Sequence, residues 1–503
     1  MMNTTPPPYT DSEISNVGTT TQYISQFLLG PVSTACPDGW TKTAIEGELQ
    51  LCTHPELNIT QATSRDRSLT LVGFMLDPGI PDATDTDITT GLLEKYSRLD
   101  ALITATARLG GRWVLIATFG KERYLFHDTF GLRQAFYTDP ELTDNLWVMS
   151  QPKIGAEVLG LTIDDAAQEF IDSYELRSSP EYKWPAASTP YREIKHLLPN
   201  HYLDLDTGLC RRYWPNHRLE KIDLNDAVEQ TSVLFKGLIK AATIRFDLAL
   251  AVTAGLDSRL ALAASKDVRD KITYLTVRQW MAPDDHADIT VSARLLDKLG
   301  LKHTIIKAPA TTTPEFSRVF KKHVFMAHDH YGPDAEAILN YFDRKKVIVT
   351  GSGAEVGRSY HDTPHENNGK ITAGYLSVLE EMGSNKYAIQ HFQQWMDDLG
   401  DLYNVNLLDL FEWEIGSGNW LAMTQLEFDI AWKDLLTPYN CRAIMTLMLA
   451  VDEKHRKGPE YVLFFEIIRN LWPEVLCEPV NPHKKPEQAS LRSRIKKIIG
   501  LSS

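Results

Sequence analysis

Two short passages carry the residue types that chemistry needs. The first is Val252-Thr253-Ala254-Gly255-Leu256-Asp257-Ser258, where small side chains lead to an acid and a hydroxyl. Small residues let backbone N–H groups come close to a phosphate, and a helix starting just beyond them favours an anion there. Thr253 and Ser258 add hydroxyl donors, and a carboxylate such as Asp257 can hold a divalent cation. The second passage is Gly351-Ser352-Gly353-Ala354-Glu355-Val356-Gly357-Arg358, again small residues leading to an acid. An ordinary buried strand and turn also uses Ala and Gly in this way, and Glu355 could instead be a solvated acid, although an acid just after Gly-x-Gly at a strand end favours a metal role.

The elements that must position these residues are readable on either side. Residues 248–253 and 347–350 are apolar runs of strand length, and Leu260-Ala261-Leu262-Ala263-Ala264 opens a helix after the first loop. Further strands are expected at 272–277 and 303–306, separated by an amphipathic helix over 288–299 that stops at Gly300. Strands alternating with helices imply a doubly wound parallel sheet, and such sheets bind ligands beyond the carboxyl ends of their strands. Val277, at the end of its strand, either offers backbone groups to an adenine or is plain core.

Upstream the pattern changes. Strand-like pieces at 69–75, 111–117, 123–127 and 146–150, with a helix over 92–107, suit a layered α+β domain. Residues 188–205 alternate and then turn at Asp206-Thr207-Gly208, an edge hairpin that packs two domains together. A helix over 224–243 carries Ala227, Val233, Leu234, Leu238 and Ile239 at helical spacing, and the region from 427 onward is mostly helical.

The first loop resembles the Ser-Gly-Gly-x-Asp-Ser pyrophosphate loop of the asparagine synthetase-like ATP pyrophosphatases, with Thr253 for Ser and Ala254 for the second Gly. The second resembles that family's Gly-Glu-Gly-Ala-Asp-Glu loop. Gly110-Gly111-Arg112-Trp113 and the stretch from His127 through Asp128, Gly131, Leu132 and Arg133 to Tyr137 are similar to its glutaminase-type N-terminal domain. Leu198-Pro199-Asn200-His201-Tyr202-Leu203 followed by Arg212-Tyr213-Trp214 is similar to its interdomain segment. The resemblance runs in order from about residue 45 to 480.

The resemblance implies an α/β protein. Residues 1–30 would be disordered, and 31–215 would form a layered Ntn-hydrolase-like domain in which Asp128 and Arg133 are structural. Residues 216–485 would form a doubly wound ATP-pyrophosphatase domain with a helical C-terminal region, and 486–503 a basic helical tail. The implied activity is an ATP-dependent ligase that activates a small-molecule or peptide carboxylate as an acyl-adenylate and couples it to an amine or ammonia. Its nucleotide site would be Val252 through Ser258, Val277, Gly351, Ser352 and Gly353. Mg2+ would lie between Asp257 and Glu355, and Asp257, Glu355, Arg358 and Lys454 would be catalytic.

The departures matter. The family's glutaminase uses an N-terminal Cys as nucleophile, whereas this chain begins Met1-Met2-Asn3 and its first cysteine is Cys36, so no glutamine hydrolysis is expected. Ser352 and Val356 replace family acids, and Glu460 replaces the lysine of a Lys-Tyr-x-Leu motif. Lys454, Arg456 and Lys457 are the candidates to supply that charge, unless they form a solvated basic turn. Asparagine is therefore not the expected product; amide formation on a natural product or polysaccharide is. A non-catalytic nucleotide-binding scaffold is the alternative.

Composition narrows the rest. The chain has 503 residues, 43% of them apolar and 23% charged, with a formal net charge of −14, which argues against a general nucleic-acid binder. No apolar run is long enough to span a membrane, and the start lacks the order of a signal peptide. The five cysteines show neither a disulfide framework nor zinc spacing, so a reducing cytoplasm is the expectation. A homodimer or a biosynthetic partner protein is compatible with this reading.

Overall fold

The computed structural model describes residues 22–33, 35–179, 181–364 and 369–482. Of the start expected to be disordered over 1–30, residues 1–21 lie outside the described residues, as does the basic tail helix expected over 486–503. Residues 22–30 are a correction, because Tyr23, Ile24, Phe27, Leu28 and Leu29 are buried and the strand Phe27–Pro31 begins there. No helix among the described residues is long and apolar enough to cross a membrane.

The first half holds two six-stranded antiparallel sheets. One contains β1 (Phe27–Pro31), β2 (Thr41–Ile45), β3 (Leu49–Thr53), β8 (Phe136–Thr138), β9 (Val148–Met149) and β10 (Ile194–His196), in the order β10-β8-β9-β1-β3-β2. The other contains β4 (Ile59–Ser64), β5 (Arg67–Leu76), β6 (Gly110–Phe119), β7 (Glu122–His127), β11 (His201–Asp204) and β12 (Cys210–Arg212), in the order β12-β11-β7-β6-β5-β4. Strand alternation decides how they stack. Phe27 and Leu29 of β1 share a cluster with Val114 and Ile116 of β6, so the two sheets face each other. Leu28 turns the other way, onto Ile154 and Ala156 of helix Pro152–Leu159. Leu115 and Ala117 of β6 turn toward Leu92, Leu93 and Leu102 of helices Asp85–Lys95 and Leu99–Thr106. The result is four layers: helix, sheet, sheet, helix.

The single helix expected over 92–107 is thus two. Thr84 opens the first with a capping box well upstream, and extended backbone at Tyr96 and Arg98 breaks the run. A second correction concerns the cysteines. Cys36 and Cys52 form a disulfide with their Cα atoms 5.6 Å apart. The strand order β1-β3-β2 returns the chain after β1 alongside β3, an adjacency that sequence spacing does not reveal. The cysteine argument for a reducing compartment therefore falls.

The second half carries a parallel sheet of β13 (Leu248–Ala251), β14 (Ile272–Arg278), β15 (His303–Lys307), β16 (Val347–Val349) and β17 (Asp434–Leu436), in the order β15-β14-β13-β16-β17. The chain steps from β13 outward through β14 to β15, then returns to the other side of β13 for β16. Strand order therefore reverses between β13 and β16, which opens a crevice at their carboxyl ends. Helix Leu256–Ala264 begins four residues before the expected Leu260, with Gly255 as its N-cap, so Asp257 and Ser258 lie on its first turn. The short β17 and a π-helical stretch, Glu412–Leu421, were not expected.

The two halves share one continuous apolar cluster, which runs from Leu71 and Trp113 through Leu238 of helix Leu224–Arg245 to Leu250 and Leu436. Buried charges reinforce it. Arg112 Nη1 and Nη2 donate to Asp429 at 2.5 and 2.9 Å, and Nη1 also reaches Asp434 at 3.0 Å. Arg133 Nη2 donates to Asp434 at 2.8 Å, and at 1% exposure Arg133 is no surface charge. Asp128 organises the turn beneath them by accepting the amides of Trp113, Leu132 and Arg133.

Candidate functional site

Because β13 and β16 are adjacent and parallel, the loops that follow them emerge side by side. Gly351 makes the contact possible. A Cβ at that position would lie 2.5 Å from both the carbonyl carbon of Asp257 and the amide nitrogen of Ser258, a separation backbone atoms cannot relieve cheaply. Gly353 sits at φ +94°, the left-handed region that favours glycine, and its amide donates to Glu355 Oε2 at 3.0 Å.

The first loop is held by its own hydroxyls. Thr253 Oγ1 and Ser258 Oγ share a hydrogen bond of 2.8 Å, the Thr253 amide donates to Ser258 Oγ at 3.1 Å, and the Gly255 amide donates to Thr253 Oγ1 at 3.1 Å. Asp288, from the next helix, accepts the Ala254 amide at 2.9 Å. Gly255 provides no side-chain cap to helix Leu256–Ala264, so the first amides of that helix have no intrahelical acceptor. That arrangement can receive an anion.

Arg358 joins the loops. Its Nη1 lies 3.0 Å from Asp257 Oδ2 and its Nη2 3.0 Å from Glu355 Oε1, so one guanidinium bridges both acids. Burial pushes the Asp257 carboxyl well above the usual carboxylate range; Arg358 pulls it back and Glu355 pushes it further up. Burial alone would lower the Arg358 guanidinium, but the two acids raise it. Asp257 Oδ1 is buried and has no hydrogen-bond partner among the described residues. An orphaned carboxylate oxygen beside a second acid fits a hard divalent cation, so the donor set suits Mg2+.

Of the expected site residues, the fold brings together Val252 through Ser258 with Gly351, Ser352, Gly353, Glu355 and Arg358. Val277 lies near the end of β14, its Cα paired with that of Ile306. Lys454 is not brought to the loops: Asp452 caps the short helix Glu453–Arg456, which turns Lys454 outward at 69% exposure with Asp452 as its ion-pair partner at 3.9 Å. Arg456 is buried against Asp409 at 2.8 Å, and Lys457 pairs with Asp362 at 2.7 Å.

Several supporting residues carry no local sequence signal. Thr437 Oγ1 donates to the Ser352 carbonyl at 2.6 Å, and Tyr439 Oη donates to the Asp257 carbonyl at 3.4 Å. Fully buried Arg259 donates to the carbonyls of Val475, Glu478 and Pro479, and the Asn481 amide then donates to Ala254 O at 2.9 Å. A C-terminal strap thus lies against the first loop. A cavity of about 1000 Å³ lies elsewhere, between helix Lys386–Asp397 and the edges of the antiparallel sheets, and no residue of either loop lines it.

No family model matches the chain, and no curated protein matches it. Solved structures similar at low level include two enzymes. One is described as the allosteric regulatory enzyme of purine biosynthesis, at 11% identity over 63% of this chain and 77% of that one, with a TM-score of 0.25. The other is a glutamine phosphoribosylpyrophosphate amidotransferase from B. subtilis complexed with ADP and GMP, at 11% identity over 79% and 95%, with a TM-score of 0.25. A likeness of that size carries no argument about fold or activity. The described residues form a mixed α/β protein with two antiparallel sheets and one parallel sheet.

Proposed function

We propose that the chain is an ATP-dependent amide-forming ligase, with an N-terminal half of the Ntn-hydrolase-like type and a second half of the ATP-pyrophosphatase type. The observation that carries the reading is the meeting of two small-residue loops where strand order reverses, each contributing a half-buried acid. The reaction class is attack of a carboxylate on the α-phosphorus of ATP, with loss of pyrophosphate, followed by attack of an amine on the acyl-adenylate with loss of AMP.

In this reading the first-turn amides of helix Leu256–Ala264 and the hydroxyls of Thr253 and Ser258 receive phosphate oxygens. Mg2+, held by Asp257 and Glu355, would neutralise phosphate charge. Arg358, already between the acids, moves its guanidinium from carboxylate to phosphate when the nucleotide arrives. Gly351 keeps the loops close enough for both to touch one ligand. Dependence on ATP suits a cytoplasmic setting, and the acceptor is proposed to be a natural product or polysaccharide precursor.

The test is exchange of labelled pyrophosphate into ATP, run against a panel of carboxylic acids. Exchange with at least one acid, abolished by Asp257→Asn, supports the ligase. The bridging position of Arg358 favours a second reading, a nucleotide-binding scaffold in which the guanidinium has permanently taken the cation's place. ATP binding without exchange for any acid would select it.

A further inference from the structure

Three donor side chains converge beyond Arg358 in a place that the two loops do not use. His361 follows the second loop, Glu380 is the C-cap of helix Ala373–Leu379, and Glu412 opens the π-helical stretch. One potential ligand atom from each lies within 4.8 Å of the others. Their side chains are nearly withdrawn from water, at 8%, 3% and 9% exposure. His361 Nε2 donates to Glu412 Oε2 at 2.8 Å, and Lys183 Nζ pairs with Glu380 Oε2 at 2.9 Å.

Two features mark the cluster as built. First, a Cβ on Gly416 would lie 2.6 Å from Glu412 Oε1 and 2.7 Å from Oε2, so the carboxylate occupies space that only glycine leaves open. Second, Glu412 stands at the start of ten residues of π-helix, a rare wide turn that recurs at functional sites. Charge points the same way. Two buried carboxylates face one fixed cation, Lys183, and burying a carboxylate without full compensation is costly.

We propose that His361, Glu380 and Glu412 bind a divalent transition ion of the Mn2+ or Zn2+ kind. One imidazole and two carboxylates form a borderline donor set that suits these ions, whereas Ca2+ and Mg2+ favour oxygen alone. Lys183 then serves as the outer partner that orients Glu380. On binding, the His361 ring adopts the Nδ1–H tautomer and offers Nε2 to the metal. The site is separate from the Asp257–Glu355 pair and does not depend on the ligase reading.

The test uses the full chain, stripped with a chelator that is then dialysed away. MnCl2 is titrated by electron paramagnetic resonance and ZnCl2 by calorimetry, with circular dichroism confirming that each variant is folded. The expected result, read in the Asp257→Asn background so that the loop acids do not hold a second ion, is one ion per chain, with affinity reduced at least about tenfold when Glu412→Gln or His361→Ala is added. Gly416→Ala keeps all three donors but displaces the Glu412 carboxylate, so it too should weaken binding. Absence of binding, or an ion insensitive to His361→Ala and Glu412→Gln, or one lost with Asp257→Asn, would overturn the proposal and leave the cluster as two ion pairs.

Discussion

Arg358 reaches back from the second loop to Asp257 on the first, Nη1 to Oδ2 at 3.0 Å, and so closes the crevice between β13 and β16 with a salt bridge. Removing that guanidinium leaves Asp257 and Glu355 facing each other. Arg358→Met should lower stability by about 1–3 kcal/mol, less than a fully buried pair because the side chains remain 15–21% exposed. Millimolar Mg2+ should restore much of the loss. Urea denaturation with and without Mg2+ checks this, and a loss that Mg2+ does not relieve would separate the acids from any cation role.

Gly351 sets how closely the loops approach. Gly351→Ala places a Cβ against the backbone of Asp257 and Ser258, so it should cost about 1–3 kcal/mol and weaken nucleotide binding. Gly374→Ala is the control. Its Cβ meets only Thr372 Oγ1 at 3.8 Å, in a helix where alanine is favoured, so it should be neutral or slightly stabilising. Thermal melts of the two variants should separate them.

The Arg112–Asp429 pair, 0% and 1% exposed, ties the antiparallel half to the parallel half. Arg112→Met leaves two carboxylates, Asp429 and Asp434, facing Arg133 alone, which should cost about 3–5 kcal/mol. Arg112→Met combined with Asp429→Leu should recover a large part, because no unpaired charge then remains. Denaturation midpoints of the single and double variants measure the difference; equal losses would mean that the pair does no clamping.

Asp334 supplies a pH test away from both loops. Burial pushes its carboxyl up to about 6, against a single hydrogen bond from Gln279. A raised carboxyl pKa means that the folded state prefers the protonated acid. Its stability is therefore full below about pH 4, falls as pH rises through the window from about 4 to 6, and is lowest above it. Asp334→Asn should thus stabilise the protein by about 2–3 kcal/mol at pH 8 and by little at pH 4. A constant difference at both pH values would contradict this.

Four strands of the parallel sheet were legible as short β-rich runs separated by helical stretches, and 248–260 and 347–358 carry their turn chemistry locally. The antiparallel half was legible only in part: strands were read at 69–75, 111–117, 123–127 and 146–150 and a hairpin over 188–205, but not β1 to β4 or β8. How the sheets face is decided by which residues of β1 and β6 meet across the gap. What escaped was non-local. Cys36 finds Cys52 only through the order of β1, β3 and β2. The three residues of β17 are too few to show a period. Glu412 looks like any acid until Gly416 and His361 are placed beside it. Lys454 failed for the opposite reason: its charge was evident, but Asp452 caps its helix and turns it outward.

Equilibrium binding of MgATP to the intact chain, by calorimetry, tests the grip of the two loops most directly. The account expects saturable binding at one site, weakened at least about tenfold by Asp257→Asn, the change in affinity that accompanies loss of about 1.4 kcal/mol. Failure to bind MgATP, or equal affinity in the wild type and Asp257→Asn, would contradict it.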